Sequence, residues 1–149
     1  MLIEVHLSWF GFINLGAVNN VMSTLITSGI QISVQTQFRQ DLSNIVESNY
    51  FFNYKIDIEN TNSFDVQLLT REWYIFDSLN EARYVSGQGV IGEQPILKSG
   101  ERYTYTSGCD LKSDIGIMKG FYTFKNLVDG ENFQVFVPTF KMEHPGKLN

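Results

Sequence analysis

One cysteine, three prolines and two histidines are all that the 149-residue chain holds of the residues that staple, break or catalyse. Cys109, being alone, forms no intrachain disulfide, so no cross-linked framework holds the fold together. Nothing in its cysteine usage asks for an oxidising compartment, and a cytoplasmic location is the simplest reading. Few prolines leave most segments free to pair in β-ladders. His6 and His144 lie near the two ends, so a Cys–His dyad with Cys109 has little support. The chain contains no H-E-x-x-H, Cys-x-x-Cys or G-x-S-x-G motif, and no acid–base set stands out. The expectation is a protein that is not an enzyme and needs no cofactor.

Basic charge is also scarce. Eleven Lys and Arg face sixteen Asp and Glu, for a formal charge of -5, and no two basic residues are adjacent. A grip on nucleic acid or on an anionic membrane needs clustered basic side chains, so neither is an expected partner. Long apolar runs are missing too. The opening MLIEVHLSWFGFINLGAVNNV has no Lys or Arg to make a secretory n-region. Its apolar part, Leu7 to Val18, is broken by Ser8, Gly11, Asn14 and Gly16, and a spanning helix needs roughly twenty apolar residues. Residues 1–21 therefore read either as an extra strand or tail packed on the domain or as a stretch upstream of a natural start at Met22. The second is favoured, with MSTLITSG as a polar, flexible lead.

What is present is a high aromatic content, twelve Phe and seven Tyr, within 43% hydrophobic residues. These residues favour strands, and the length suits one domain with one core. Ile30 to Phe38 alternates apolar and polar residues, as a half-buried strand does. Tyr50 to Asn60 repeats the pattern. Phe64 to Asp77 reads as one long strand or two joined by a bulge, because the alternation slips near Thr70 and Arg71. Glu81 to Ser86, Arg102 to Thr106, Gly116 to Lys125 and Asn132 to Phe140 complete the set, with turn clusters at 60–63, 77–80, 97–100 and 129–130. No stretch keeps a 3.6-residue apolar period. About seven antiparallel strands predict an all-β immunoglobulin or fibronectin type III-like sandwich over residues 22–142, with 143–149 a loose tail.

One stretch poses a chemical question. Gly87-Gln88-Gly89-Val90-Ile91-Gly92 spells G-x-G-x-x-G, the fingerprint that seats a pyrophosphate on a helix N-terminus. The sequence after it, Glu93-Gln94-Pro95-Ile96, does not open a helix. Pro95 biases Gln94 away from helical angles, and Glu93 puts negative charge where phosphate would sit. The glycines are read as a β-to-β loop needing positive φ and close backbone approach. A nest of N–H groups from Gly87, Gly89 and Gly92, without a helix, is the competing reading. Arg71 and Trp73, two apart, share a strand face, and Trp73 reads as core. With a bulge near Thr70, Arg71 would reach towards the glycine loop as an anion clamp. The plainer reading pairs it with Glu93 or Glu72. Tyr103 and Tyr105 read either as an exposed aromatic surface or as a core edge, and Cys109 as a small packed residue. Asp110 and Asp114 do not make a metal cage.

The run VQLLTREWYIFDSLNEARYVSGQGVIGEQPILKSGERYTYTSGCDLKSDIGIMKGFY, with Phe133, Val135, Val137-Pro138 and Phe140 closing, resembles the bacterial ApaG family over roughly Gly29 to Met142. Asp110 stands where proline is common after the cysteine. The resemblance implies a fibronectin-type sandwich with the glycine motif in a loop. It also implies an association with cobalt and magnesium efflux or resistance. Related domains in eukaryotic F-box proteins and a polymerase-interacting protein look like protein-binding modules. Cobalt would find few nitrogen or sulfur ligands in this chain, so action through a protein partner is the expected mode. A homo-oligomer is a further expectation, since open sandwiches keep exposed edges.

Overall fold

The computed structural model describes residues 21–147. Of the stretch 1–21, for which two readings were offered, residues 1–20 lie outside the described residues.

Among the described residues nine strands run in chain order: β1 Ser23–Thr27, β2 Ile30–Phe38, β3 Tyr50–Asn60, β4 Val66–Asp77, β5 Arg83–Gln88, β6 Ile96–Leu97, β7 Arg102–Leu111, β8 Ile115–Asn126 and β9 Asn132–Glu143. They form two sheets, β1-β2-β3-β7 and β5-β4-β8-β9, with β6 a two-residue stub on the same β4 edge as β5. Every pairing is antiparallel. Without β1 and the stub, seven strands remain, β2-β3-β7 against β5-β4-β8-β9, which is the sandwich that the alternation predicts.

The sequence reading ends one strand at Thr106, whereas β7 runs on to Leu111, and it does not include the stub β6. Two further differences lie near the ends of the chain. Residues 23–27, expected as a flexible lead, are an edge strand on β2, paired from Ser23↔Val34 to Thr27↔Ile30. The hairpin turns on Ser28 and Gly29, with φ of 49° and 75°, a primed-turn geometry that matches strand twist. The alternation was silent because both faces of β1 are largely exposed. The tail also differs: the His144 N–H donates to the Asp114 carbonyl at 2.7 Å, and its ring meets Phe38 edge-on with centroids 4.7 Å apart.

The core forms from the inward row of each strand: Ile30, Ile32 and Val34; Phe52, Tyr54, Ile56 and Ile58; then Trp73, Ile75, Met118, Tyr122 and Phe124. Trp73 is its centre, with Tyr54, Tyr122 and Phe140 rings at 5.7, 6.0 and 6.0 Å. Parity along β4 explains how it gets there. Val66 and Leu68 face inward, and so do Trp73, Ile75 and Asp77. Even numbers become odd because Leu69 is an extra residue: Leu68 pairs with Phe124 and Thr70 already with Thr123. The slip visible in the sequence is thus a β-bulge. It turns Arg71 onto the Trp73 row.

Candidate functional site

The bulge also creates the site. The Leu69 carbonyl, displaced from the ladder, accepts from the Gly89 N–H at 2.8 Å and from Gln94 Nε2 at 2.9 Å. The loop from Gly89 to Pro95 is thereby pinned along the open edge of β4, between β5 and β6. Gln67 Nε2 donates to the Gln94 carbonyl at 3.1 Å, and the Leu68 N–H to the Pro95 carbonyl at 3.0 Å.

Within the loop, Val90 and Glu93 exchange two backbone hydrogen bonds, Val90 N–H to Glu93 O at 2.8 Å and Glu93 N–H to Val90 O at 3.0 Å. Ile91 and Gly92 make the tip, with φ of 48° and 70°. This is a two-residue primed hairpin turn. Glycine suits it, but a β-branched residue in the left-handed region is strained. Ile91 is held there because its side chain packs against the core beside fully buried Val90.

Arg71 braces the loop from below. Its Nη1 donates to the carbonyls of Gln88 at 3.1 Å and Gly89 at 2.8 Å. Gly87 stands opposite Arg71 on β5, and a Cβ there would come within 3.1 Å of Nη1. Gly87 thus leaves room for the guanidinium. Gly89 is needed for another reason, since an added Cβ would fall 2.0 Å from the Glu93 carbonyl oxygen. Gly92, with nothing within 4 Å, serves the turn alone. The structure therefore gathers all four of Arg71, Gly87, Gly89 and Gly92 in one place. The N–H groups of Gly89, Val90 and Glu93 are taken up by the chain's own carbonyls, and Arg71 bonds loop carbonyls. Glu93 and Glu72 each accept from a tyrosine hydroxyl, Tyr103 at 3.0 Å and Tyr84 respectively.

Across the seam lies the edge strand of the other sheet, β7. The bond from Tyr103 to Glu93 ties the loop tip to it. Burial, and then that carboxylate, push the Tyr103 phenol up to about 12. Tyr105, two residues on, turns inward, and its hydroxyl meets that of Tyr122 in the core. Burial drives both phenols well above the ordinary tyrosine value. The tyrosine pair thus divides between core and loop. Further along, Arg83 of β5 pairs with Asp110 of β7 at 3.1 Å. Cys109 is fully buried, and desolvation raises its thiol to about 11, which keeps it an unreactive protonated thiol near neutral pH. Asp77 accepts from the Lys112 N–H at 2.6 Å and from the Ser113 hydroxyl. Among the described residues no three His, Cys, Asp or Glu cluster tightly enough to hold a metal, and no helix is long and apolar enough to cross a membrane.

Sequence reasoning did not find Leu69, Val90, Ile91 or the Tyr103–Glu93 tie. The bulge was signalled by the broken alternation. An isoleucine at positive φ carries no sequence signal, because tertiary packing imposes it.

A family profile described as the ApaG domain matches residues 40–126. The chain is 43% identical over 119 residues to Protein ApaG of Methylobacterium radiotolerans, covering 80% of this chain and 91% of that one. It is 40% identical over 125 residues to Protein ApaG of Mesorhizobium japonicum, covering 84% and 95%. The crystal structure of an ApaA protein from Bordetella pertussis superposes with a TM-score of 0.75 at 35% identity, covering 78% of this chain and 94% of that one.

Proposed function

The chain belongs to the ApaG family, and from that premise we propose that it is a non-catalytic binding module whose glycine loop presents a surface to a protein partner. The observation that carries this reading is Ile91, a β-branched residue held at φ 48° on the tip of a hairpin loop. Strain of this kind persists only where the surroundings over-determine it. Here Arg71, Val90, Gln94 and Tyr103 all fix the loop. A rigid exposed loop on a stable sandwich loses little entropy on binding, which favours recognition. Gly92, Glu93, Gln94 and Ile96 are exposed around the tip, giving an apolar spot with a polar rim.

The association with cobalt and magnesium efflux that family resemblance implies would on this reading run through the partner. Anion binding by Gly87–Gly92 has weaker support, since three loop amides already have acceptors in the loop and in β4.

The test is affinity capture from a native lysate with the full chain and with two folded variants, Ile91→Asn and Ile96→Glu. Asparagine tolerates the left-handed region, so the first variant keeps the turn dihedral while removing the core contact of Ile91; Ile96→Glu, at an exposed side chain, changes the surface alone. Capture of one specific protein, lost in both variants, is expected. Capture that survives both removes the loop from the interface.

A further inference from the structure

The two outer sheet faces of the molecule differ sharply. On β2-β3-β7 the exposed outward side chains are mostly polar and partly paired, with Ile26 of β1 an exposed apolar side chain at the edge: Arg102 reaches Glu59 at 2.8 Å and Asp57 at 3.4 Å, and Thr104 donates to Asp57 at 3.1 Å. That is the ordinary solvated face of an antiparallel sheet. On β5-β4-β8-β9 the outward row is aromatic. Tyr84 and Tyr74 lie together with centroids 5.0 Å apart, Phe121 and Phe136 at 6.0 Å, and Lys119 Nζ sits 5.5 Å above the Phe76 ring. Tyr74, Phe76, Tyr84, Ile117 and Phe136 are each between 38 and 53% exposed. Between them and Leu25 of β1, a shallow groove of about 400 Å³ runs past Phe121 and Val137. One molecule thus provides its own control: composition alone does not make this face apolar.

The area fits one kind of occupant. With aromatic side chains of roughly 200 Å² each, those five residues expose about 450 Å² of mainly apolar surface. A standard interface buries about 800 Å² per partner, and homodimer interfaces are about 65% apolar. The five side chains with the groove walls supply nearly that apolar share. The charges on the face are also self-complementary. Glu72 pairs with Phe121 on β8 in register, and the adjacent Tyr74 pairs with Lys119, so one acidic and one basic side chain stand on neighbouring strands. Across a twofold axis lying in the plane of the interface, perpendicular to the line from Glu72 to Lys119 and midway along it, Glu72 of each copy meets Lys119 of the other, twice. The Tyr84 hydroxyl already orients the Glu72 carboxylate from one side.

We propose that the outer face of β5-β4-β8-β9 is the twofold interface of a homodimer, packed sheet on sheet around Tyr74, Phe121 and Phe136 with reciprocal Glu72–Lys119 pairs. The inference does not depend on the glycine loop, which follows the end of β5 and is pinned to the β4 edge. A dimer built this way would carry two such loops.

The test is sedimentation of the full chain from low to high micromolar concentration. The unaltered chain is expected to dimerise. Phe136→Glu, on an exposed ring, is expected to weaken association at least about tenfold, with little change in the thermal midpoint measured at concentrations where both proteins are monomeric. Glu72→Lys alone and Lys119→Glu alone are each expected to weaken it. An equimolar mixture of these two variants is expected to restore association, since only the mixed dimer pairs opposite charges at both contacts. A monomer at every concentration overturns the proposal and gives the face to another occupant. A dimer that Phe136→Glu leaves intact, or two charge variants that do not rescue each other, also overturns it.

Discussion

Gly120 lies against Trp73 so closely that a single added methyl group would reach 2.7 Å from the indole Cε3 and 2.1 Å from the Glu72 carbonyl oxygen. The two residues pair directly across β4 and β8. The small residue is what lets the large one lie flat on the neighbouring strand. Gly120 follows a second irregularity, where β9 has two residues, Pro138 and Thr139, opposite Lys119 alone. Pro138, with no N–H to offer, sits where the ladder is already interrupted.

Gly120→Ala is therefore expected to destabilise the protein by about 3 kcal/mol, at the upper end of overpacking costs, because the clash includes backbone that cannot rotate away. Urea unfolding measures it. A loss below about 1 kcal/mol would mean that the strands separate freely there, contrary to the packing seen.

The glycines of the loop provide a paired experiment. Gly92→Ala is expected to cost about 1 kcal/mol, for a side chain at φ 70° with open space around it. Gly89→Ala adds to a similar φ a Cβ 2.0 Å from the Glu93 carbonyl oxygen, so the turn must open. It is expected to cost more, and to speed amide exchange at Val90 and Glu93 selectively. Equal costs for the two would show that Gly89 is needed for its dihedral angle only.

How much of this was open to inspection in the sequence depends on what each element uses to hold its shape. β2 and β3 have one face in the core and one in water, and alternation marks their ends at Ile30–Phe38 and Tyr50–Asn60 as the structure has them. The bulge at Leu69 shows as a parity change, because Leu68 and Trp73 cannot both be inward without an extra residue. β1 hides because it is held by ladder bonds to β2, with no buried row of its own, although Ser28-Gly29 is a readable hairpin signal. At the site, the residue types were legible and their partners were not. Arg71 could have met Glu93, Glu72 or a ligand, and only the fold shows it bonding the carbonyls of Gln88 and Gly89. Which side of the sandwich β7 lies on decides that Tyr103 takes Glu93, and local sequence does not contain that.

Alkaline pH should expose the tyrosines. Tyr103 has its phenol raised to about 12 in the folded state, against about 10 unfolded. Between those values the native state holds a proton that the unfolded state has released. The contribution of Tyr103 to stability should then be constant below about pH 10 and be lost as pH rises from about 10 to 12. Buried Tyr105 and Tyr122, shifted in the same direction, steepen the fall. Urea midpoints across this range, with tyrosinate absorbance recorded in parallel, measure it. Tyr103→Phe should make the decline shallower; an unchanged slope would show that Tyr103 does not contribute to it.

The G-x-G-x-x-G run is not expected to bind phosphate. A phosphate site needs amides directed at the ligand and a positive field around them. Here the amides of Gly89, Val90 and Glu93 donate to Leu69, Glu93 and Val90 carbonyls, and Arg71 is turned to the loop's own oxygens. Glu93 adds a carboxylate next to the tip. Recruiting any of these three amides to an anion would break a bond worth about 1 kcal/mol, and an anion at the tip would bring negative charge towards Glu93. Calorimetric titration of the full chain with ATP, GTP and pyrophosphate is expected to show no binding heat, with Gly89→Val run in parallel. Heat that appears in the unaltered chain and vanishes in a folded Gly89→Val would mean that the loop reorganises around phosphate, and would move the proposed function from a protein partner to an anion.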